Sequence, residues 1–430
     1  MRTIRLRSLS ARIEPSRLRI TDTRREPLGE RAYAVEELNS ASVHCQCPDE
    51  PFGFAYPIDV PDFGRIYLWT DGKHLSHRAM ELLLERELAY SRYQRSLAFV
   101  KQYQRKGVPF ETAQAHLERA KPPTSDEEDS LQRSLRESLL GGEEAALAVA
   151  RVRIQRIGWR EAFLWGIRLT DPISSIDALH PPFNQLSLSM AEHPIEAWEP
   201  IVQQAQQERL LLRGESLITL ASIQQALESP LPLQESLINR MRHTMTYYRG
   251  RIRYWEILSD LPDSLALLAD EPKSRLALVA TLCEAARAVD FGIVRLLGAT
   301  YGLHTPRAVY DLLEQMVDND VPFEGVNLHL DWRDFDMLDF DDLLEQYGNL
   351  GKPLHLSLHL PPTCAKSANP FYWRTPPSES NQADWLLHAF TIALSKPFVV
   401  GVQVAQSEIA ESTIQRLNAQ RQAWKCVSTP

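Results

Sequence analysis

From about Trp159 onward the chain repeats one pattern: a short apolar run, an amphipathic stretch of helical length, then another short apolar run. The runs occupy 162–167, 184–189, 209–213, 252–258, 292–297, 325–330, 354–360 and 398–404. Strand-length apolar segments alternating with helices predict a parallel sheet covered by helices. Eight such units in roughly 260 residues match the count and size of a closed (β/α)8 barrel. The competing doubly wound sheet wants a glycine-rich first turn, and neither GxGxxG nor GxxxxGK[ST] occurs. In a barrel the chemistry sits at the C-terminal ends of the strands, so polar residues there are the first place to look for a site.

The first part of the chain reads differently. Short alternating segments at 17–20, 33–38, 42–47 and 65–69, separated by turn-rich stretches such as 48–53, predict a small antiparallel β domain. A stripe beginning at Met80 and running through Leu83, Tyr90, Tyr93, Leu97 and Val100 then predicts a helix, which Gly107 and Pro109 stop. The segment 121–129 reads as a loop entering a second helix, with Ser125 as N-cap and Glu128 completing a capping box. The expected division is an N-terminal β domain over 1–76, a helical connector over 77–156 and the barrel over 157–430. An isolated helix of this length is marginal in water, so the connector is expected to be a rigid helical hairpin.

Charge excludes several classes of function. The chain has 430 residues, with 47 basic against 56 acidic side chains and a net charge of −9. An acidic surface without a long Lys/Arg tract argues against nucleic acid and against anionic membranes as partners. No stretch reaches the roughly 18 apolar residues of a membrane span; even the run 274–283 is followed by Glu284 and Arg287. The N-terminal 20 residues lack the apolar core of a signal peptide, so a cytoplasmic location is expected. Of five cysteines only Cys45 and Cys47 are close, and His44 alone could join them, which leaves a zinc site one ligand short. No metal and no cofactor is expected.

Several strand ends resemble glycoside hydrolase family 10, the β-1,4-xylanases, in chain order. Arg213-Gly-Glu-Ser-Leu217 is similar to the family's RGHxL, and residues 250–260 to GxIxxWDVxNE. Residues 325–332 resemble GIGLQxHx, residues 350–362 resemble LGxPxHITExxxP, and 382–386 with 400–404 resemble the approach to the last barrel strand. The likeness covers roughly residues 160–425 and implies the barrel fold and a carbohydrate ligand.

The same comparison implies damaged chemistry. A retaining glycosidase needs two carboxyl groups about 5–5.5 Å apart. Leu358 stands where the family has its nucleophilic Glu, and leucine cannot form a glycosyl ester. Asp260 stands at the acid/base position, one methylene short, and Ser259 replaces the preceding Asn. Glu215 replaces the His of RGH, Thr219 a Trp, His329 a Gln, Asp331 a His and Ala405 the Trp that closes the sugar site. Loss of two aromatic platforms also removes stacking surface for a pyranose.

Without the family, the strand ends gather Glu215, Glu256, Asp260, His329, Asp331, Asp334, His355 and His359. Neighbouring carboxylates raise one another's pKa, so Asp260 with Asp331 or Glu215 is the candidate acid/base pair. Alternation puts His355, Ser357 and His359 on one strand face and Leu356, Leu358 and Leu360 on the other. In the family's register Leu358 faces the pocket and the histidines face the helices; a one-residue bulge would bring His359 to the catalytic end instead. His355 and His359 with Asp331 are also a candidate metal half-site. Tyr372 and Trp373, in the long segment after the seventh strand, either stack on a sugar or anchor the loop. The expectation is a pseudoenzyme, a divergent family 10-like barrel that binds a carbohydrate or a protein partner. The alternatives are an active intracellular glycosidase using Asp260 as general acid with a displaced second carboxylate, and a structural or interaction protein.

Overall fold

The computed structural model describes residues 2–9, 13–22, 34–39, 42–47, 51–70, 81–121, 126–173, 175–176, 182–191, 193–261, 263–268, 272–302, 306–364 and 371–427. Strands β1 (Arg2–Arg7), β2 (Arg19–Thr21), β3 (Ala34–Asn39), β4 (Ser42–Cys47), β5 (Gly53–Val60), β6 (Gly64–Trp69) and β7 (Glu81–Leu83) come first. Helices α1 (Leu84–Gln104), α2 (Glu111–Arg119) and α3 (Glu128–Ile157) follow.

The eight apolar runs become β8 (Leu164–Leu169), β9 (Gln185–Ser189), β10 (Leu211–Glu215), β11 (Tyr254–Leu261), β12 (Val294–Thr300), β13 (Gly325–Asp331), β14 (Leu354–His359) and, after the short β15 (Tyr372–Trp373), β16 (Val399–Ala405). They close in the order β10-β11-β12-β13-β14-β16-β8-β9, every pair parallel. Around them lie α4 (Glu199–Gln207), α5 (Leu220–Leu227), α6 (Leu233–Tyr247), α7 (Asp263–Leu268), α8 (Pro272–Val289), α9 (Pro306–Asp318), α10 (Met337–Gly348), α11 (Glu379–Leu394) and α12 (Glu411–Val427). The chain is therefore a (β/α)8 barrel preceded by β sheets and helices, as the spacing of the apolar runs predicts.

The N-terminal strands make two four-stranded sheets, β3-β4-β1-β7 and β15-β6-β5-β2. Pairing is antiparallel apart from β1 with β7, which is parallel. The edge strand β15 comes from the barrel: Tyr372 pairs with Arg65 and Trp373 with Gly64. Gly64 has φ +149°, and a Cβ there would lie 2.5 Å from the Tyr372 carbonyl oxygen, so only glycine admits this strand. Arg374 secures the seam, its backbone N–H donating to the Phe63 carbonyl (2.9 Å) and its guanidinium to Glu143 on α3 (2.8 Å).

Helix α3 has Glu127 at its N-cap without a side-chain hydrogen bond; Ser125, read from sequence as the cap, lies outside the described residues, as do Met80 and Tyr33. The expected stripe is buried in part: Leu83 and Val100 are buried and Tyr93 and Leu97 half-buried, while Tyr90 is exposed. The buried face of α1 extends further, over Leu84, Leu88, Arg92, Ser96, Phe99 and Tyr103. Apolar periodicity missed this extension because it buries polar groups. Arg92 donates to Asp336 and Asp339 at the start of α10, and Arg95 to Asp339 and Asp342, so α1 is ion-paired to the barrel. Gly142 lets α3 come close, since a Cβ there would meet Ser96 Oγ at 2.7 Å. Helix α1 ends at Gln104 and Gly107 follows with φ +79°, as Gly107 and Pro109 predict.

Candidate functional site

A parallel barrel strand is usually apolar throughout, and these are not. Ser187, Arg213, Glu256, Asn327, Ser357 and Gln403 sit mid-strand, each at most 4% exposed. They are joined into one network inside the barrel. Ser187 Oγ donates to Gln403 Oε1 (2.5 Å), and Gln403 Nε2 donates to Ser357 Oγ (2.6 Å) and to Glu215. Ser357 Oγ donates to Asn327 Oδ1 (3.0 Å), and Asn327 Nδ2 donates to Glu256 Oε2 (2.5 Å). Arg213 closes the set, 3.0 Å from Glu256 and 3.2 Å from Glu215.

Glu256 is the centre of this floor. Ser259 Oγ also donates to it (2.6 Å), and His329 Nε2 lies 3.5 Å away. Burial alone would raise its pKa, but His329, Arg213 and Ser259 outweigh that and hold the carboxyl well below the usual range. Below it His355 is buried beside Arg213; burial and that positive charge push the imidazole down to about 3, so it is neutral.

This network corrects the register taken from the family. Ser357, with His355 and His359, is on the inward face of β14, so Leu358 points outward into the helix-covered apolar layer, where it is 2% exposed. His355 and His359 nevertheless do not form a metal half-site. The first is buried in the interior, while the second is at the rim with Nδ1 2.9 Å from Glu408 Oε1.

Above the floor the strand ends open into a cleft of about 890 Å3 lined by Arg168, Ser259, Asp260, His329, Asp331, Asp334 and His359, among others. Of the residues singled out from sequence, the mouth thus brings together Ser259, Asp260, His329, Asp331, Asp334 and His359; Glu215 lies in the floor and Leu358 outside. Tyr372 and Trp373 are not in the cleft lining, because β15 binds them to the N-terminal sheet, with Trp373 4% exposed. Thr219 lines the cleft too and caps α5 by accepting from the Ser222 N–H (3.2 Å). Ala405 pairs with Arg168 at the end of β16.

Asp260 has φ +57° and Ser216, also at the mouth, φ +56°. Non-glycine residues in this region store strain of order 1–3 kcal/mol and cluster at functional sites. Register shifts between β11 and β12 after Glu256 and Leu258 produce the turn that leaves Ser259 over Glu256 and Asp260 at the rim. Burial raises the Asp260 carboxyl above its ordinary value, against the opposing charge of His329. Asp334 is pushed up to about 7 by burial and by Asp331, against Arg333. Asp331 is itself held by Arg333 Nε (2.8 Å) and NH2 (2.5 Å).

Sequence reading missed Arg168, Ser187, Arg213, Asn327 and Gln403. Their signal was present: each is a polar residue inside a run that a barrel strand would keep apolar, or, for Arg168, directly after one. Among the described residues no group of three or more His, Cys, Asp or Glu is placed to hold a metal ion, and no helix is long and apolar enough to cross a membrane.

No protein-family model matches the chain, and no curated protein matches it. Among solved structures it is similar to xylanase 10B from Thermotoga petrophila in complex with xylobiose, at 13% identity and TM-score 0.46, over 64% of this chain and 97% of that one. Native xylanase 10B from Thermotoga maritima matches at 14% identity and TM-score 0.47, over 63% and 98%. A thermostable mutant of a Cellvibrio japonicus xylanase matches at 14% and 0.46, over 61% and 98%. The barrel assignment rests on the chain's own closed strand order rather than on these neighbours.

Proposed function

We propose that the chain is a divergent glycoside hydrolase family 10-like barrel that has lost hydrolysis and keeps its mouth as a carbohydrate-binding cleft. One observation carries this reading: the barrel holds its interior carboxylates as structure. Glu256 accepts from Arg213, Ser259 and Asn327, and Glu215 is taken by Arg213 and Gln403, so neither is free to attack an anomeric carbon. The inward residue in mid-β14 is Ser357, itself bonded on both sides. What remains at the mouth is a polar, strained rim of the kind that orients hydroxyl-rich ligands.

A second reading has its own support. Burial raises the Asp260 carboxyl, the direction a general acid needs, and Asp334 in the same cleft is pushed up to about 7. An active glycosidase would use Asp260 as acid with a displaced carboxylate from this rim.

Calorimetric titration with xylotriose, run beside hydrolysis of an aryl β-xyloside, separates the two. Binding without turnover is the expected result. Turnover that disappears in Asp260→Ala would replace the first reading by the second, and absence of both binding and turnover would sink both.

A further inference from the structure

The rim is richest in chemistry where the cleft meets β8. Arg168 is the last inward residue of that strand, and its register neighbours are small: Ala405 on β16 and Ser187 on β9. It is half-buried and lines the cleft. Among the described residues no acceptor lies within hydrogen-bonding reach of its guanidinium, which can offer five donors in a planar fork. Glu408 feels its charge, but no hydrogen bond or ion pair joins the two, and the carboxylate is turned to other donors. Oε1 is held by His359 Nδ1 (2.9 Å) and Oε2 accepts from the Leu360 N–H (2.9 Å).

Among the described residues the rest of the rim does not supply an anion to it. Asp331 is closed by the two contacts from Arg333. Asp260 lies on the β11 side, near the start of α5, and its carboxyl accepts from the Leu220 backbone. A second guanidinium, Arg240 of α6, also lines the cleft and, among the described residues, is engaged only with the neutral Gln225 Oε1 (3.2 Å). Among the described residues the cleft therefore holds two guanidinium groups with no carboxylate in a hydrogen bond or ion pair to them. A guanidinium left with open donors at a binding rim matches a carboxylate, which it can hold through two parallel hydrogen bonds.

We infer that the cleft takes an acidic saccharide whose carboxylate sits on Arg168. This rests on the carbohydrate reading above and deepens it, since that reading leaves the sugar's charge open.

Three probes that differ at one carbon test it: methyl β-D-glucuronide, methyl β-D-glucoside and methyl β-D-xyloside, titrated into the full chain at pH 6 and followed by NMR shifts. The glucuronide is expected to bind at least about tenfold more tightly than the two neutral glycosides, about 1.4 kcal/mol. Arg168→Gln is expected to remove that preference while leaving neutral binding in place, and Arg168→Lys to restore part of it, because charge without the planar fork recovers only part of the contact. Thermal unfolding of both variants should stay within about 2 °C of the parent, since Arg168 is outside the buried network. Equal affinity for glucuronide and glucoside, or a preference that survives Arg168→Gln, overturns the inference and leaves the carbohydrate reading standing. Binding of none of the three overturns both.

Discussion

The floor of the barrel and its mouth are built from the same strands a few residues apart, yet they treat charge in opposite ways. On the floor Arg213 faces Glu215 and Glu256, and the carboxylates are matched by donors from neighbouring strands. At the mouth the Arg168 guanidinium makes no hydrogen bond or ion pair among the described residues, Asp334 carries a raised pKa and Asp260 holds a left-handed backbone. Buried charge is tolerated only when paired and hydrogen-bonded, so the floor is closed by necessity and can be spent on stability alone. Half-exposed charge can stay open because water stands in until a ligand arrives. The difference separates what holds the barrel together from what it offers to a partner.

The comparison breaks most readily at Arg213. Arg213→Met should cost about 3–5 kcal/mol in urea unfolding, because Glu215 and Glu256 lose their buried cation. A loss under about 1 kcal/mol would mean the floor is not held by that charge.

Leu358 and His359 test which face of β14 is inward. Leu358→Glu should destabilise by about 3 kcal/mol by placing a carboxylate in the apolar layer outside the strands, and should restore no hydrolysis. His359→Ala, which removes a half-exposed pair with Glu408, should cost under about 1 kcal/mol. The reverse order would restore the register taken from the family.

Acid should find the floor through His355. Its folded pKa of about 3 lies below the ordinary value near 6.5, so the unfolded chain binds the extra proton between those limits. Stability therefore falls as pH drops through that window, by up to about 1.4 kcal/mol per pH unit. His355→Asn should flatten this part of a stability–pH curve, and an unchanged slope would show that His355 does not contribute to it.

The mouth has the opposite sign and a smaller effect. Asp334 is raised to about 7 from about 3.8, so the folded chain holds its proton longer than the unfolded one, and stability falls as pH rises between those values. Asp334→Asn should be more stable than the parent by about 1 kcal/mol at pH 8 and no different at pH 3, measured by urea unfolding at both. Equal stability at pH 8 would mean that water already serves this carboxyl in the folded chain.

The barrel was legible because its signal is redundant. Each strand run carries outward residues such as Trp165, Ile167, Leu186, Leu188 and Trp255 that must be buried against helices, and all eight runs became strands within a few residues of their expected ends. The mouth was half legible. Asp260, Ser259, His329 and Asp331 reach it because they end strands, and strand ends can be read from the pattern. The register of β14 was not, since its alternation fits either face until Asn327 and Gln403 show where Ser357 must point.

By itself the amino-acid order determined the number of strands, their parallel closure and the residues at their C-terminal ends, because apolar periodicity acts locally and repeats. Only the tertiary structure decided which charges are paired. Arg213 meets Glu256 across 43 positions, Gln403 meets Glu215 across 188, and Tyr372 is carried away from the mouth to pair with Arg65. Such partners are chosen by barrel closure and strand register, which bring together residues that no local pattern relates.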